Sequence, residues 1–205
     1  MTRRLSYDFF NRDARVVAQE LLGKELVRKQ NKQLLVGRIV ETEAYLGPED
    51  KAAHSFGNRR TPRTEVMFGP AGFAYVYFIY GMYYNFNVIT NQPGKPEGVL
   101  IRALEPLEGI EAMKNNRKIT RPNLCNLTNG PGKLCQSLAI DKAFYGYDLV
   151  AGESLYLRHG SETEPFIISS GARVNIAYAE EFVGRPWRYF IQGHPCISVK
   201  PSKKK

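Results

Sequence analysis

Two glutamates, a tyrosine and a histidine follow one another closely in the segment IVETEAYLGPEDKAAHS, residues 39–55. Its first half predicts a strand, which the Leu-Gly-Pro turn ends because proline lacks an N–H and fixes φ. Since strand side chains alternate, Glu41, Glu43 and Tyr45 share one face, and that composition is not typical of a core face. One interpretation is a solvated face. The other is a carboxylate that acts as a general base beside the aromatic rings of Tyr45 and His54.

Two further polar residues stand in segments that are otherwise apolar. Asn87 lies among Phe86, Val88 and Ile89, so its amide must find a partner or serve as one, and a satisfied buried amide is the more common case. Arg102 lies in VLIRAL, where a charge is costly unless it is paired. We therefore expect Arg102 either to stabilise a structural carboxylate or to point into an active site.

An aromatic-rich run, residues 73–89, predicts two strands joined near Tyr80-Gly81-Met82. Most aromatic residues of such a run belong to the core. Tyr80 is the exception, because a glycine beside it permits a sharp reversal that lets its side chain project, together with Met82. On a basic protein, a projecting aromatic side chain can intercalate into duplex DNA in place of an extruded nucleotide.

Basic side chains accompany these segments. The loop AAHSFGNRRTPR carries Arg59, Arg60 and Arg63, which form either a solvated basic loop or a phosphate clamp, and we favour the clamp. Lys133 follows a glycine-rich turn, NGPGK, at a predicted helix start, where free N–H groups favour phosphate. That turn lacks the spacing of a P-loop, so no nucleotide triphosphate is implied.

Three blocks of the sequence, VETEAYLGPED, AYVYFIYGMYYNFN and LIRALEPLEG, closely resemble the alkyladenine (3-methyladenine, methylpurine) DNA glycosylase family. The resemblance runs from about Leu5 to Val199. It implies an α+β fold, a single domain with a curved antiparallel sheet flanked by helices and no helix-hairpin-helix. It also implies a DNA glycosylase that flips damaged purines out of duplex DNA. No lysine is placed as a Schiff-base nucleophile, so we expect a monofunctional enzyme, and we expect it to use no cofactor and no metal.

The resemblance also implies a role for each matching residue. Glu43 corresponds to the general base that activates water, and Arg102 and the main-chain carbonyl of Val174 to groups that help to place that water. Asn87 corresponds to the amide that discriminates purines at C2, and Tyr80 to the intercalating wedge. The aromatic walls around the flipped base correspond to Tyr45, His54 and Tyr77.

The elements that position these residues can be predicted from periodicity and turn residues. Residues 11–22 predict an amphipathic helix, residues 25–27 and 33–40 a hairpin, and residues 99–103 a strand. A second helix is expected to begin at Pro106. Residues 115–126 predict a flexible connection. Short strands or turns that close the sheet are expected at residues 146–149, 154–158, 166–169, 172–176 and 189–199.

Composition narrows the class of protein. A chain of 205 residues favours one domain, residues 1–205, with a frayed basic tail at 200–205. The net charge of +9 favours a polyanionic partner. No apolar run is long enough for a membrane span, and the N-terminus lacks the core of a signal peptide, so we expect an intracellular protein. We also expect a monomer. Three cysteines without a C-x-x-C pair predict inert thiols of a reducing compartment and no metal site.

Three functions fit these observations. The first is a glycosylase acting on double-stranded DNA that contains a damaged purine. A non-catalytic damaged-DNA-binding protein would show the same charge and aromatic residues but would not need Glu43. A hydrolase of free nucleosides would need the carboxylate and the aromatic walls, but neither Tyr80 nor the arginine loop.

Overall fold

The structure, a computed structural model, describes residues 3–120, 123–160 and 164–200. Its helices are α1 (Tyr7–Phe10), α2 (Ala14–Glu20), α3 (Ile110–Arg117) and α4 (Pro131–Ser137). Its strands are β1 (Glu25–Gln30), β2 (Gln33–Leu46), β3 (Ala74–Ile79), β4 (Tyr83–Thr90), β5 (Glu97–Glu108), β6 (Leu155–Arg158), β7 (Ile168–Gly171) and β8 (Arg188–Ile191). Short 3-10 helices lie at Phe56–Asn58, Glu65–Phe68, Leu124–Leu127, Lys142–Phe144 and Glu180–Phe182.

The strands form one antiparallel sheet in the order β3-β4-β5-β2-β1-β6, and β8 joins it by pairing with both β2 and β7. Helices pack against this sheet, so the predicted α+β class with an antiparallel sheet is confirmed. None of the helices that the structure describes has the length and apolar character that crossing a bilayer requires.

The central strand is β2, which is bordered on both edges. One edge pairs with β5 along most of its length, with irregular register around Glu41. The other edge pairs first with β1 and then, at Glu41–Glu43, with β8. The two glutamates of the opening segment therefore lie in the middle of the sheet, and β2 ends at Leu46 as its turn residues predict.

The predicted helix at residues 11–22 is confirmed as the shorter α2. The side chain of Asp13 caps it by accepting a hydrogen bond from the N–H of Arg15 at 2.8 Å. Ala14, Val17 and Ala18 are its buried residues. Because the hydroxyl of Thr42 donates to the carbonyl of Ala18 at 2.8 Å, α2 is fixed directly over the part of β2 that carries the glutamates.

The prediction that a helix begins at Pro106 is wrong. Strand β5 continues to Glu108, with Pro106 opposite Gly37 where the register of β2 shifts. Helix α3 begins at Ile110, after Gly109 at φ 76°, where a Cβ would lie 2.5 Å from the carbonyl oxygen of Leu34. Sheet pairing with β2 thus outweighs the local preference for a helix start.

The flexible connection predicted for residues 115–126 is also wrong in part. Helix α3 covers its first residues and a 3-10 helix, Leu124–Leu127, its last ones. Residues 121–122 lie outside the described residues, as do residues 201–205 of the basic tail. Of the closing strands, residues 155–158, 168–171 and 188–191 are strands, whereas residues 172–176 and 192–199 form turns and irregular structure.

The prediction that all the cysteines are thiols is wrong for two of them. Cys125 and Cys196 form a disulfide with their Cα atoms 4.7 Å apart, although 71 residues separate them. Sequence spacing does not reveal this pairing, because only the folded sheet brings the Leu124–Leu127 turn next to the C-terminal turn. Cys135 is a free, buried thiol, as predicted, and burial raises its pKa.

The disulfide predicts the thiol count and part of the stability. Protein unfolded without reductant should expose one thiol, that of Cys135, and protein unfolded with reductant should expose three. Because the bond closes a long loop in the unfolded chain, Cys125→Ser should lower the free energy of unfolding by about 2–4 kcal/mol. Thiol titration and urea denaturation check both values. Three thiols before reduction would show that the bond does not form.

Candidate active site

A cleft of about 570 Å³ opens at the end of β2. It lies between the β3–β4 hairpin, the first turn of α4 and the segment that follows Arg173. Its lining includes most of the predicted site residues, namely Tyr45, His54, Tyr77, Tyr80, Arg102, Lys133 and Val174. A narrower recess of about 50 Å³ shares Tyr45, His54 and Tyr77 and contains Asn87. The fold therefore brings residues from distant parts of the chain to one concave surface.

Charged side chains meet beneath the floor of this cleft. Glu41 and Glu43 are fully buried, and Arg102 lies between them, with Nε 3.4 Å from Glu41 Oε1 and Nη1 3.3 Å from Glu43 Oε2. Arg188 approaches Glu41 from β8, with Nη1 3.4 Å from Oε1. The solvated interpretation of this strand face is therefore wrong. Buried carboxylates are tolerated here because each one is paired.

The pairing fixes the charge of Arg102. Burial on its own would lower the pKa of Arg102, but the charges of Glu43 and Glu41 outweigh it and raise that pKa. Arg102 therefore pairs with both carboxylates, as the first alternative predicts, and it also lines the cleft.

Both oxygens of Glu43 also accept hydrogen bonds. The hydroxyl of Tyr45 donates to Oε2 at 2.8 Å, and the N–H of Val174 donates to Oε1 at 2.7 Å. Burial, and then the charge of Glu43, raise the pKa of Tyr45 well above its usual value, so the phenol keeps its proton and remains a donor. The contact of Val174 with Glu43 is thus made through its amide N–H.

A buried ion pair holds the segment that carries Val174. The guanidinium of Arg173 bonds both oxygens of Asp50, at 2.5 and 2.8 Å, and donates to the carbonyl of Ala44 at 2.9 Å. It lies 4.7 Å from the ring centroid of Tyr45 and 5.0 Å from that of Trp187. Neither Arg173 nor Asp50 is predicted as a site residue from the sequence, because no nearby sequence pattern indicates that residues so far apart in the chain form a pair.

Aromatic rings form the walls of the cleft. His54 and Tyr77 are in edge contact with centroids 4.7 Å apart, and Tyr75, which the sequence analysis assigned no role, lies 5.1 Å from Tyr77. Nδ1 of His54 shares a hydrogen bond of 2.8 Å with the hydroxyl of Tyr75. Burial, and then the charges of Arg63 and Arg59, lower the pKa of His54 to about 4, so the imidazole is neutral at pH 7.

Two amides lie beside these rings. Nδ2 of Asn87 donates to the carbonyl of Tyr75 at 3.1 Å, so this amide finds a main-chain partner and also borders the recess. Nδ2 of Asn85 donates to the hydroxyl of Tyr77 at 3.0 Å and lines the cleft. Sequence reasoning missed Asn85. Burial raises the pKa of Tyr77 to about 12, so this phenol also stays protonated.

The β3–β4 turn presents its side chains to solvent at the rim, as the sequence predicts. Tyr80 is 71% exposed and Met82 is 61% exposed. Tyr80 has φ 53° and Gly81 has φ 67°, so a bulky residue adopts the left-handed conformation. This conformation costs a bulky residue roughly 1–2 kcal/mol, so Tyr80 does not stabilise the turn through its backbone.

The basic residues of the rim differ in whether a neighbouring side chain pairs with their charge. Arg60 forms an ion pair with Glu65 at 2.6 Å. Arg59 and Arg63 border a second cavity of about 420 Å³ next to His54. Nζ of Lys133 donates to Asn129 at 2.7 Å, and burial lowers the pKa of Lys133.

Among the residues that the structure describes, no group of three or more His, Cys, Asp or Glu side chains could hold a metal ion.

A carboxylate held beneath an aromatic cleft suits the hydrolysis of a flat, aromatic substrate. Residues 8–195 match the family described as methylpurine-DNA glycosylase (MPG). The chain belongs to this family, which confirms the resemblance seen in the sequence. It is therefore a DNA glycosylase, a hydrolase of N-glycosyl bonds, and DNA is its partner.

Bacterial relatives carry the name "Putative 3-methyladenine DNA glycosylase". The protein from Natranaerobius thermophilus is 50% identical over 196 residues, which cover 96% of this chain and 99% of the relative. The protein from Clostridium acetobutylicum is 52% identical over 202 residues, covering 96% and 98%. The protein from Desulfitobacterium hafniense is 50% identical over 204 residues, covering 97% and 100%.

The lowered pKa of His54 predicts a pH dependence of stability. Between about pH 4 and pH 6.5 the unfolded chain binds a proton at His54 that the folded chain does not bind, so stability falls as the pH falls through this window. Relative to His54→Gln, the wild type should lose about 2–3 kcal/mol of unfolding free energy between pH 7 and pH 4.5. Urea denaturation at both pH values measures the loss. Equal losses in the two proteins would contradict a neutral, buried imidazole.

Proposed function

We propose that this DNA glycosylase excises damaged purines, namely 3-methyladenine, 7-methylguanine, hypoxanthine and ethenoadenine, from duplex DNA. The observation that carries the proposal is the position of Glu43 under an aromatic cleft, where Arg102, Tyr45 and Val174 hold its carboxylate. Three contacts on about four lone-pair sites leave one site that could accept a hydrogen bond from water. The damaged base stacks between the rings of Tyr45, His54 and Tyr77.

Binding begins with the DNA backbone. The net charge of +9 attracts the duplex, and Arg59, Arg63 and Lys133 contact phosphates around the cleft. Arg60 contributes less, because Glu65 already neutralises its charge. Tyr80, with Met82, enters the stack where the damaged nucleotide leaves it, and the energy of that contact offsets part of the cost of unstacking.

Hydrolysis then needs one activated water. Glu43 accepts a proton from the water, whose oxygen attacks C1′ of the deoxyribose while the N-glycosidic bond breaks and its electron pair leaves with the base. Arg102 pairs with Glu43 and holds its carboxylate in place, and the main-chain carbonyl of Val174 helps to orient the water. Asn87 contributes to discrimination at C2 of the purine. No cofactor takes part in this proposal.

The charge of the leaving base determines whether the base must also be protonated as it leaves. A 3-methyladenine or 7-methylguanine base carries a positive charge and leaves as a neutral molecule, whereas hypoxanthine and ethenoadenine must be protonated as they leave. Water rather than an amine attacks, so the product is an abasic site in an intact strand. We propose that the enzyme acts as a monomer.

The first test compares two neighbouring carboxylates. Glu43→Gln should lower single-turnover excision of hypoxanthine, and of 7-methylguanine, by at least about 100-fold, because a general base is lost. Glu41→Gln is the matched control, since it neutralises the other buried partner of Arg102 and should cost far less activity. Equal losses would assign Glu43 a structural role. Nicked strands, or a covalent adduct trapped by borohydride, would contradict the monofunctional chemistry.

The second test separates the wedge from the fold. Tyr80→Asn should keep or raise the stability of the hairpin, by up to about 1 kcal/mol, because asparagine tolerates the left-handed conformation. The same change should weaken binding to a lesion duplex, while binding to undamaged DNA, which depends on charge, changes little. Denaturation and fluorescence anisotropy measure the two effects. Unchanged lesion binding would exclude Tyr80 as the wedge.

A further inference from the structure

Arg63 lies behind one wall of the cleft. Its guanidinium carbon is 5.0 Å from the ring centroid of Tyr77, which lines the cleft. Arg63 itself borders the neighbouring cavity of about 420 Å³ and not the cleft. An exposed positive charge therefore lies against the ring of Tyr77, outside the cleft that this ring lines.

In the part of the chain that the structure describes, no carboxylate oxygen lies within 4.0 Å of the nitrogens of Arg63, so no ion pair neutralises this charge. Other arginines of the region differ, since Arg60 pairs with Glu65, Arg102 with Glu41 and Glu43, and Arg173 with Asp50.

The field of Arg63 reaches the side chains around the base. After burial, it is the next cause that lowers the pKa of His54. It also opposes the burial that raises the pKa of Tyr75 and Tyr77.

We infer that Arg63 determines selectivity by charge: its fixed positive charge behind Tyr77 weakens the binding of cationic purines relative to neutral purines. This inference rests on the proposed function. A base stacked on the inner face of Tyr77 lies about 4 Å from the ring. Adding the 5.0 Å between Arg63 and that ring puts the two charges roughly 9 Å apart. At effective dielectric constants between about 80 and 20, this distance corresponds to about a 2-fold to 20-fold change in affinity.

The experiment measures binding without excision. In a Glu43→Gln background, fluorescence anisotropy at fixed salt gives the Kd for three duplexes, which carry 7-methylguanine, hypoxanthine or no damage. The quantity of interest is the ratio of the two lesion affinities. Adding Arg63→Gln should shift this ratio about 2-fold to 20-fold toward the cationic 7-methylguanine. Arg63→Lys, which keeps the charge, should restore most of the original ratio.

Arg60→Gln is the matched control, because it removes the same charge from the same loop at a position that Glu65 already neutralises. It should leave the ratio unchanged. If Arg63→Gln weakens binding to all three duplexes equally, Arg63 is only a phosphate ligand and the inference is overturned. The same holds if Arg60→Gln shifts the ratio as much. Failure of the proposed function looks different, since neither lesion would then be bound better than undamaged DNA and the wild type would release no base.

Discussion

The charge of Arg102 is the constraint on which the rest of the site depends. A guanidinium at this depth is tolerated only beside anions, and β2 supplies two of them, Glu41 and Glu43. Three strands and the C-terminal turn cooperate in this arrangement: Arg188 of β8 approaches Glu41, the N–H of Ser198 donates to Glu41 at 2.5 Å, and Arg102 donates to the hydroxyl of Ser198. Removing one member leaves an uncompensated buried charge, which costs about 3–5 kcal/mol. The stability of the sheet and the position of Glu43 beneath the cleft therefore depend on one network of buried charges.

Sequence patterns correctly predicted the features that depend on residues close together in the chain. The alternation of β2 put Glu41 and Glu43 on one face, the glycine beside Tyr80 indicated the hairpin turn and its exposed aromatic residue, and Asp13 indicated the start of α2. Contacts between distant segments could not be predicted in this way. Whether the glutamate face was buried depended on Arg102, which lies on another strand, and the turn at Val174 depended on the pairing of Arg173 with Asp50.

Two of the errors in the fold have the same origin. Proline at residue 106 is a reasonable helix start by local preference, but β5 continues past it because β2 offers it a partner strand. The cysteines gave no local sign of pairing, and the sheet alone brings Cys125 next to Cys196. At Pro106 the tertiary contacts outweigh a local preference, and at the cysteines they create a pairing that the local sequence does not indicate.

Positive and negative charges occupy different depths around the base-binding space. Glu41 and Glu43 lie beneath the floor with their charge shared by Arg102, so a cationic purine meets little net attraction from that side. Arg59 and Arg63 lie outside the wall formed by His54 and Tyr77, and their field lowers the pKa of His54. Selectivity is a difference between affinities, and repulsion of one class of ligand produces it as well as attraction of the other does. Under the proposed function the enzyme accepts both cationic and neutral bases, and a field of this strength shifts the balance between the two classes without excluding either.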